Sequence, residues 1–338
     1  MLNLISDIRG IYVFNNPKIN LIGCIAIDKG KQEYGAIGGT RLLEYSSLEY
    51  AIKDVVWLAN AMSKKCIVAD IPFVGGKGVL LKQKHINSIE EYFKAYGEII
   101  ESLNGSFITG CDVGVDNFNM NIVKSKTHYI TGLSNGLDRD YLSYLTALGV
   151  YKSMGTCLKR IYDIDSLSRI NVVIQGVGKV GRDLAKILCQ KNAHVTICDI
   201  NKEIAKQVAS ELNCDIVEER DIFDIECDIF APCGLGGVIN NETINLLKCK
   251  IICGAANNQI HNNNLLEDLD NRNIFFMPDW ICNIGGAIYA AHSYLNVDIE
   301  LIIEKVKKIL VRRTNEFIDL KENSNLYTAA TTFIQIIS

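Results

Sequence analysis

Residues 170–201, INVVIQGVGKVGRDLAKILCQKNAHVTICDIN, constrain the fold more tightly than any other stretch. An apolar run, NVVIQ, meets a glycine turn. An amphipathic stretch, GRDLAKILCQ, follows, and then a second apolar run ending at Asp199. Strand, turn, helix and strand in about thirty residues make a βαβ unit, whose two strands lie parallel and need helical cover. Gly176, Gly178 and Gly181 complete G-x-G-x-x-G after a strand and at the start of a helix, the context that makes the motif informative. Gly176 permits the tight turn, Gly178 lets the backbone approach a pyrophosphate, and Gly181 allows close helix–strand packing. Val177, Lys179 and Val180 complete the phosphate-facing helix start. Asp199 accepts from the adenosine ribose hydroxyls and repels a 2′-phosphate, so the predicted cofactor is NAD.

The rest of the chain extends this pattern. CDIFAPC, KIICGA and IFFMPDW are later apolar runs spaced for a parallel α/β sheet. A long helical pattern, YLTALGVYKSMGTCLKRIY, precedes the glycine turn. The first half differs. LIGCIAID reads as a strand. SLEYAIKDVVWLANAMSKK places Ala51, Val55, Leu58, Ala59 and Met62 at helical spacing behind Ser46 or Ser47 as N-cap. SIEEYFKAYGEIIESL is a second helix opening at Ser88, and SFITGCDVG is a strand entering a glycine loop. With 338 residues there is room for two cores. The predicted fold is α/β in two domains: a substrate domain over 1–140 and a Rossmann NAD-binding domain over 141–314. The closing segment 315–338, with its helix NLYTAATTFIQII, is expected to pack back on the first domain.

Composition removes several function classes. A net charge of −4 without any long Lys/Arg run argues against nucleic acid or an anionic membrane as partner. No stretch approaches the length of a membrane span. The opening MLNLISDIRGIYVF meets Asp7 and Arg9 before an apolar run develops, so it does not read as a signal peptide and a cytoplasmic protein is expected. Twelve cysteines and five histidines are scattered, with no C-x-x-C and no H-E-x-x-H, which predicts reduced thiols and no metal.

Within DIPFVGGKGVLL, Lys77 stands between Gly75-Gly76 and Gly78. This is not a P-loop, because Ile71 occupies the place of its first glycine and Gly78 that of its Ser/Thr. A surface turn is the simple reading; an amine set in a pocket that a ligand approaches is the sharper one. Lys65 at the end of AMSKK and Asp112 in ITGCDVG are further acid–base candidates. CGAANNQI and PDWICNIGGAI bring Asn258 to the ligand-binding edge of the sheet.

Taken in order, GGTR at 38–41, MSKK at 62–65, GGKG at 75–78, TGCDVG at 109–114, LTALGVY at 145–151, GVGKVG, CDIFAPCGLGGVIN, GAANNQ and PDWICNIGGAI resemble the amino-acid dehydrogenase family of the glutamate, leucine, phenylalanine and valine enzymes. The leucine/phenylalanine branch is nearest, and the motifs span about nine-tenths of the chain. The resemblance implies reversible oxidative deamination of a hydrophobic L-amino acid, branched-chain or aromatic, to its 2-oxo acid and ammonium. It implies that Lys65 holds the α-carboxylate beside Gly38 and Gly39. Lys77 holds the attacking water and the 2-oxo group, Asp112 acts as general acid/base, and Asn258 orients the substrate. Arg41 and Thr146 are placed near the cofactor, with Cys233, Gly234, Ala255, Ala256 and Asn257 completing its site. The glycines about Lys77 are read as access for substrate and nicotinamide.

Ile37, Gly110, Ala287 and Ala290 match the family's side-chain pocket. None is charged, which disfavours glutamate. Gly110, Ala287 and Ala290 are smaller than the alanine and two valines of leucine-type relatives, which predicts tolerance of bulky or aromatic side chains. Departures are a proline-free loop, DRDYLSYL, Val74 in place of a glycine, and an end at Ser338 without a long basic tail. A homo-oligomer, dimer or larger, is the expected assembly. A catalytically silent NAD-binding regulator on the same scaffold is the alternative; it would lack one of Lys65, Lys77 and Asp112.

Overall fold

The computed structural model describes residues 8–30, 34–133 and 139–337. Met1–Asp7, Asp138 and Ser338, which enter the readings above, lie outside them. The chain divides into two units: one runs up to Arg139 and includes Ala290–Asp298, the other comprises Asp140–Tyr289 and the chain from Ile299.

The first unit holds a mixed sheet in the order β1 (Ile8–Asn16), β2 (Leu21–Asp28), β5 (Val74–Leu81), β3 (Ala36–Ile37), β6 (Phe107–Ile108), with β4 (Thr40–Leu43) also paired to β5. β1, β2 and β5 run antiparallel, while β3 and β4 lie parallel to β5. Helix α1 (Leu48–Val68) covers one face, burying Ala51, Val55 and Ala59 against Val79. Helix α2 (Ile89–Ser102) covers the other with Tyr92, Phe93 and Tyr96, joined by α3 (Asn117–Lys124). Ser88 caps α2 by accepting from the Glu91 N–H, whereas Ser47 heads α1 without a side-chain cap. The strand expected through SFITGCDVG shrinks to Phe107–Ile108, because Thr109 onward bends into the loop that carries Asp112.

The second unit is a six-stranded parallel sheet in the order β12 (Phe275–Phe276), β11 (Ile251–Ile252), β10 (Ile229–Pro232), β7 (Asn171–Gln175), β8 (His194–Cys198), β9 (Asp215–Ile216). β7 and β10 are neighbours although two strands separate them in sequence. The strand order reverses there, so a ligand crevice opens beyond their carboxyl ends. This is the Rossmann arrangement. Helix α4 (Tyr141–Tyr162) begins inside the segment read as a loop. Asp140 accepts from the Ser143 N–H as N-cap, so most of DRDYLSYL is a capped first turn. After β7 come α5 (Lys179–Gln190) and α6 (Lys202–Leu212), then α7 (Leu265–Asn271) and α8 (Asp279–Cys282). Helices α9 (Gly285–Tyr294), α10 (Ile299–Glu322) and α11 (Leu326–Ile337) close the chain.

The chain from residue 315 is grouped with the second unit. The buried stripe of α11 is Leu326, Ala329 and Phe333, and its ring partners stand on α8 and α10. Phe333 lies 5.8 Å from the Trp280 ring and 5.7 Å from Phe317. Among the described residues, no helix is long and apolar enough to cross a membrane.

Candidate active site and nucleotide site

Side chains alternate along β5, and this sorts the GGKG run into two faces. Gly75, Lys77 and Val79 face α1; Gly76, Gly78 and Leu80 face α2. A Cβ at Gly75 would run into the backbone of Ala59 and Ser63, and one at Gly76 would lie 2.7 Å from the Phe107 ring. At Gly78 it would lie 2.5 Å from the hydroxyls of Thr40 and Tyr96. The glycines are therefore bare because protein occupies their side-chain space, which corrects their reading as access for ligand. Beneath Gly78, the fully buried Thr40 hydroxyl shares hydrogen bonds with Tyr96 at 2.5 Å and Thr109 at 2.6 Å.

The close seat of α1 on Gly75 brings the end of that helix to the lysine strand. The Gly75 N–H donates to Ser63 Oγ at 2.7 Å, and Lys65 sits in the last turn of α1. Lys77 Nζ lies 2.8 Å from Asp112 Oδ2, with the lysine side chain only 13% exposed. Gly39 packs against Asp112, where a Cβ would lie 3.0 Å from that of the aspartate, and Gly38 packs on the Gly76 carbonyl. Lys77, Asp112, Gly38 and Gly39 are thus brought together, with Lys65 on the helix above the same strand.

Arg41 is held by two carboxylates. Its Nε donates to Asp112 Oδ2 at 3.1 Å and its Nη1 to Asp54 Oδ2 at 3.3 Å, while the Tyr45 hydroxyl donates to the same Asp54 oxygen at 2.6 Å. Both Lys77 and Arg41 engage one oxygen of Asp112. Burial alone would push the Asp112 carboxyl up; the charge and hydrogen bond of Lys77 and the charge of Arg41 outweigh it and hold the group below its ordinary value. The carboxylate is the resting form at neutral pH.

In the second unit, Gly176 adopts φ +91°, which lets the turn after β7 pack against Cys233 and Gly234 beyond β10. Gly181 lies over the Gly176 carbonyl, and Gly178 caps α5 with nothing within 4 Å of the space its Cβ would take. No side chain caps that helix start, so its N–H groups face an open cradle suited to a pyrophosphate. Asp199 accepts from the Val177 N–H through Oδ2 and from the Asn201 N–H through Oδ1, both at 2.8 Å. Each carboxylate oxygen keeps a lone pair for a ribose hydroxyl. Lys179 is exposed beside Asp140, at 3.4 Å. The Ala256 N–H donates to the Pro232 carbonyl, and the Asn258 N–H, at φ +53°, donates to Asp279 Oδ2 at 3.1 Å. Residues 176–181, Asp199, Cys233, Gly234 and residues 255–257 thus stand at the carboxyl ends of β7, β8, β10 and β11. Thr146 donates its hydroxyl back to Leu142 and stands against Gly286 at the start of α9.

Two family models match this chain: the dimerisation domain of the Glu/Leu/Phe/Val dehydrogenases over residues 18–129, and Glutamate/Leucine/Phenylalanine/Valine dehydrogenase over 196–333. The leucine dehydrogenase of Thermoactinomyces intermedius is 39% identical over 275 residues, 81% of this chain and 75% of that protein. The chain belongs to the Glu/Leu/Phe/Val dehydrogenase family. The phenylalanine dehydrogenase of Lysinibacillus sphaericus is 36% identical over 315 residues, 90% of this chain and 81% of its own length. The crystal structure of L-tryptophan dehydrogenase from Nostoc punctiforme superposes with a TM-score of 0.83 at 27% identity, covering 100% of this chain and 98% of that one. The chain is thus an amino-acid dehydrogenase by family.

Other parts of this dehydrogenase carry signals that sequence reasoning passed over. Asp54 sits beside Val55 on the buried side of α1, where a carboxylate needs a partner, and Tyr45 supplies one hydrogen bond. Asn283, 7% exposed, donates to the Ala255 carbonyl at 3.1 Å and to Asn257 Oδ1 at 3.0 Å, leaving its own buried Oδ1 unpartnered. It braces the loop before Asn258. The cysteines are less scattered than their spacing implies: Cys189 and Cys214 share a thiol hydrogen bond that pulls Cys189 down to about 7. Ile37 is 1% exposed within the sheet. A Cβ on Gly110 would lie 2.9 Å from the Thr131 carbonyl. Gly110 is therefore required by close packing, and its missing side chain adds no room there.

Proposed function

We propose that this chain catalyses reversible NAD-dependent oxidative deamination of a hydrophobic L-amino acid. The products would be the 2-oxo acid, ammonium, NADH and a proton, with one water consumed. The observation that carries the reading is the Lys77–Asp112 contact at 2.8 Å, set on the strand beside α1 and steadied by Arg41. Bound to the glycine turn, NAD would supply the acceptor for the hydride leaving the α-carbon. The other steps fall to the chain's own groups. Lys65 pairs with the α-carboxylate. Asp112, held ionised, takes a proton from the substrate amine or from the attacking water. Lys77 orients that water and then the 2-oxo oxygen as ammonium departs.

Specificity is inferred from the positions that match the family's side-chain pocket. The residues at those positions, Ile37, Gly110, Ala287 and Ala290, carry no cation, so a glutamate carboxylate would lose its water at a cost of ~3 kcal/mol or more. An NADH-formation assay over leucine, isoleucine, phenylalanine, tryptophan, alanine and glutamate tests this. The expected kcat/KM for glutamate is at least about a hundredfold below that for the best apolar substrate. A glutamate or alanine preference would refute the pocket; failure of every amino acid to reduce NAD would refute the function.

Cofactor choice rests on Asp199. Asp199→Ala is expected to lower the NAD:NADP ratio of kcat/KM by about tenfold or more, because the 2′-phosphate no longer meets a carboxylate. An unchanged ratio would assign Asp199 to bracing the glycine turn through Val177 and no more. Self-association is proposed through the first unit. β1 is an edge strand with Tyr12 and Val13 exposed, and Trp57 and Tyr50 stand exposed on α1. Light scattering should find a dimer or larger species.

A further inference from the structure

We propose that Asp54 and Tyr45 are positioning residues of the proton-transfer site, acting through Arg41 to fix the carboxylate of Asp112. The inference rests on the deamination reading above and extends it to two residues outside the substrate's reach.

The geometry is a line of alternating charge. Lys77 from β5 and Arg41 from β4 both hold Oδ2 of Asp112, at 2.8 and 3.1 Å. The far side of the Arg41 guanidinium is held by Asp54 from α1 at 3.3 Å, and the Tyr45 hydroxyl closes the line on Asp54 at 2.6 Å. The carboxylates and the guanidinium are each only 20–26% exposed, so water competes weakly for their bonds. A guanidinium can do this because its planar fork offers donors on two sides; an ammonium on a flexible stem cannot bridge two carboxylates in fixed directions. Asp112 sits on the loop after β6, where backbone pairing is limited to an isolated bridge with Val115. Apart from a hydrogen bond from the Val113 backbone N–H to the carboxyl, its orientation depends on these side-chain bonds. With both side-chain cations on Oδ2, Oδ1 is the oxygen without a charged partner and the one that accepts a substrate proton. If Arg41 is loosened, the carboxylate can turn and present the wrong oxygen. Burial would then act on it with less opposition, and its proton affinity would rise.

A competing role for Asp54 predicts the opposite sign. Were Asp54 only a rival for Arg41, its removal would free the guanidinium to pair more strongly with Asp112 and would lower that group's proton affinity. Asp54→Asn, Tyr45→Phe and Arg41→Gln, alone and combined, separate the two. Each is measured by kcat, KM, the pH profile of kcat/KM and NAD affinity, and by a carbon-13 NMR titration of the Asp112 carboxyl. Asp54→Asn is expected to lower kcat by about ten- to a hundredfold with KM little changed and NAD affinity intact. The acid limb of its pH profile and the Asp112 titration should both move to higher pH. In the Arg41→Gln background, adding Asp54→Asn or Tyr45→Phe should change kcat less than about twofold, because the route through Arg41 is already cut. Asp54→Glu should restore part of the loss. An Asp112 titration that stays put or moves to lower pH in Asp54→Asn, or full additivity with Arg41→Gln, overturns the proposal. The titration needs no turnover: a protein inactive on every amino acid refutes deamination, while the NMR shift still decides the positioning role.

Discussion

Lys77→Ala is expected to lower kcat for oxidative deamination by about a thousandfold while leaving NAD affinity nearly unchanged. The lysine is 13% exposed and paired to Asp112 at 2.8 Å in the first unit, whereas the groups suited to a dinucleotide belong to the second. In the proposed mechanism, removing the ammonium takes away the donor for water and the 2-oxo oxygen. It also removes the larger of the two charges that keep Asp112 ionised. The sign of the pH effect follows. A carboxyl held low contributes stability above its ordinary range and loses it as pH falls through the lowered value, so wild-type activity and fold should resist acid. Without Lys77 burial meets less opposition, and the residual activity should fall off at higher pH than in wild type. Stopped-flow turnover and calorimetric NAD binding check the first claim, a pH profile the second. Near-normal turnover in the variant would remove Lys77 from the chemistry.

Gly75→Ala should be the most damaging single methyl in the substrate unit. Its Cβ would meet the backbone of Ala59 and Ser63, which can yield only by lifting α1 off β5. Overpacking of this kind costs about 1–3 kcal/mol, and the same shift would carry Lys65 away from the lysine strand. A lower urea midpoint together with a raised KM for the amino acid is expected. Gly178→Ala is the contrasting variant. Nothing lies within 4 Å of the added methyl, so stability should change by less than about 1 kcal/mol while NAD affinity falls. If Gly75→Ala is as stable as wild type, the helix does not seat where described.

The second unit was the more legible. Its glycine turn, its acidic strand end and the apolar runs of β10 and β11 follow local rules, and the strand order then follows from the connections alone. The substrate unit could be read only in part. Lys77 stood out because its neighbours were bare, yet the cause was a helix on one face and aromatic and hydroxyl side chains on the other. A sequence shows a missing side chain without showing what occupies its place. Arg41 is legible as a motif residue, but its partners Asp112 and Asp54, 71 and 13 residues away in sequence, are not. Asp54 could have been found, since a carboxylate next to the apolar stripe of α1 calls for a partner. Tyr45, in the turn before that helix, carries no such periodic signal. The closing helix is legible by its apolar period, but a stripe of Leu326, Ala329 and Phe333 does not name its partner. Trp280 and Phe317 supply that partner, and only the fold brings them together.

The most direct test of the account follows the hydrogen on the α-carbon. L-leucine and L-phenylalanine deuterated at that carbon are incubated with the protein and NAD, and the NADH, 2-oxo acid and ammonium are quantified by mass spectrometry and enzymatic assay. The account predicts that the deuterium appears on the nicotinamide ring, with one 2-oxo acid and one ammonium formed for each NADH, and that Lys77→Ala suppresses all three together. NADH without deuterium, or deuterium released to water with no NADH formed, would contradict it.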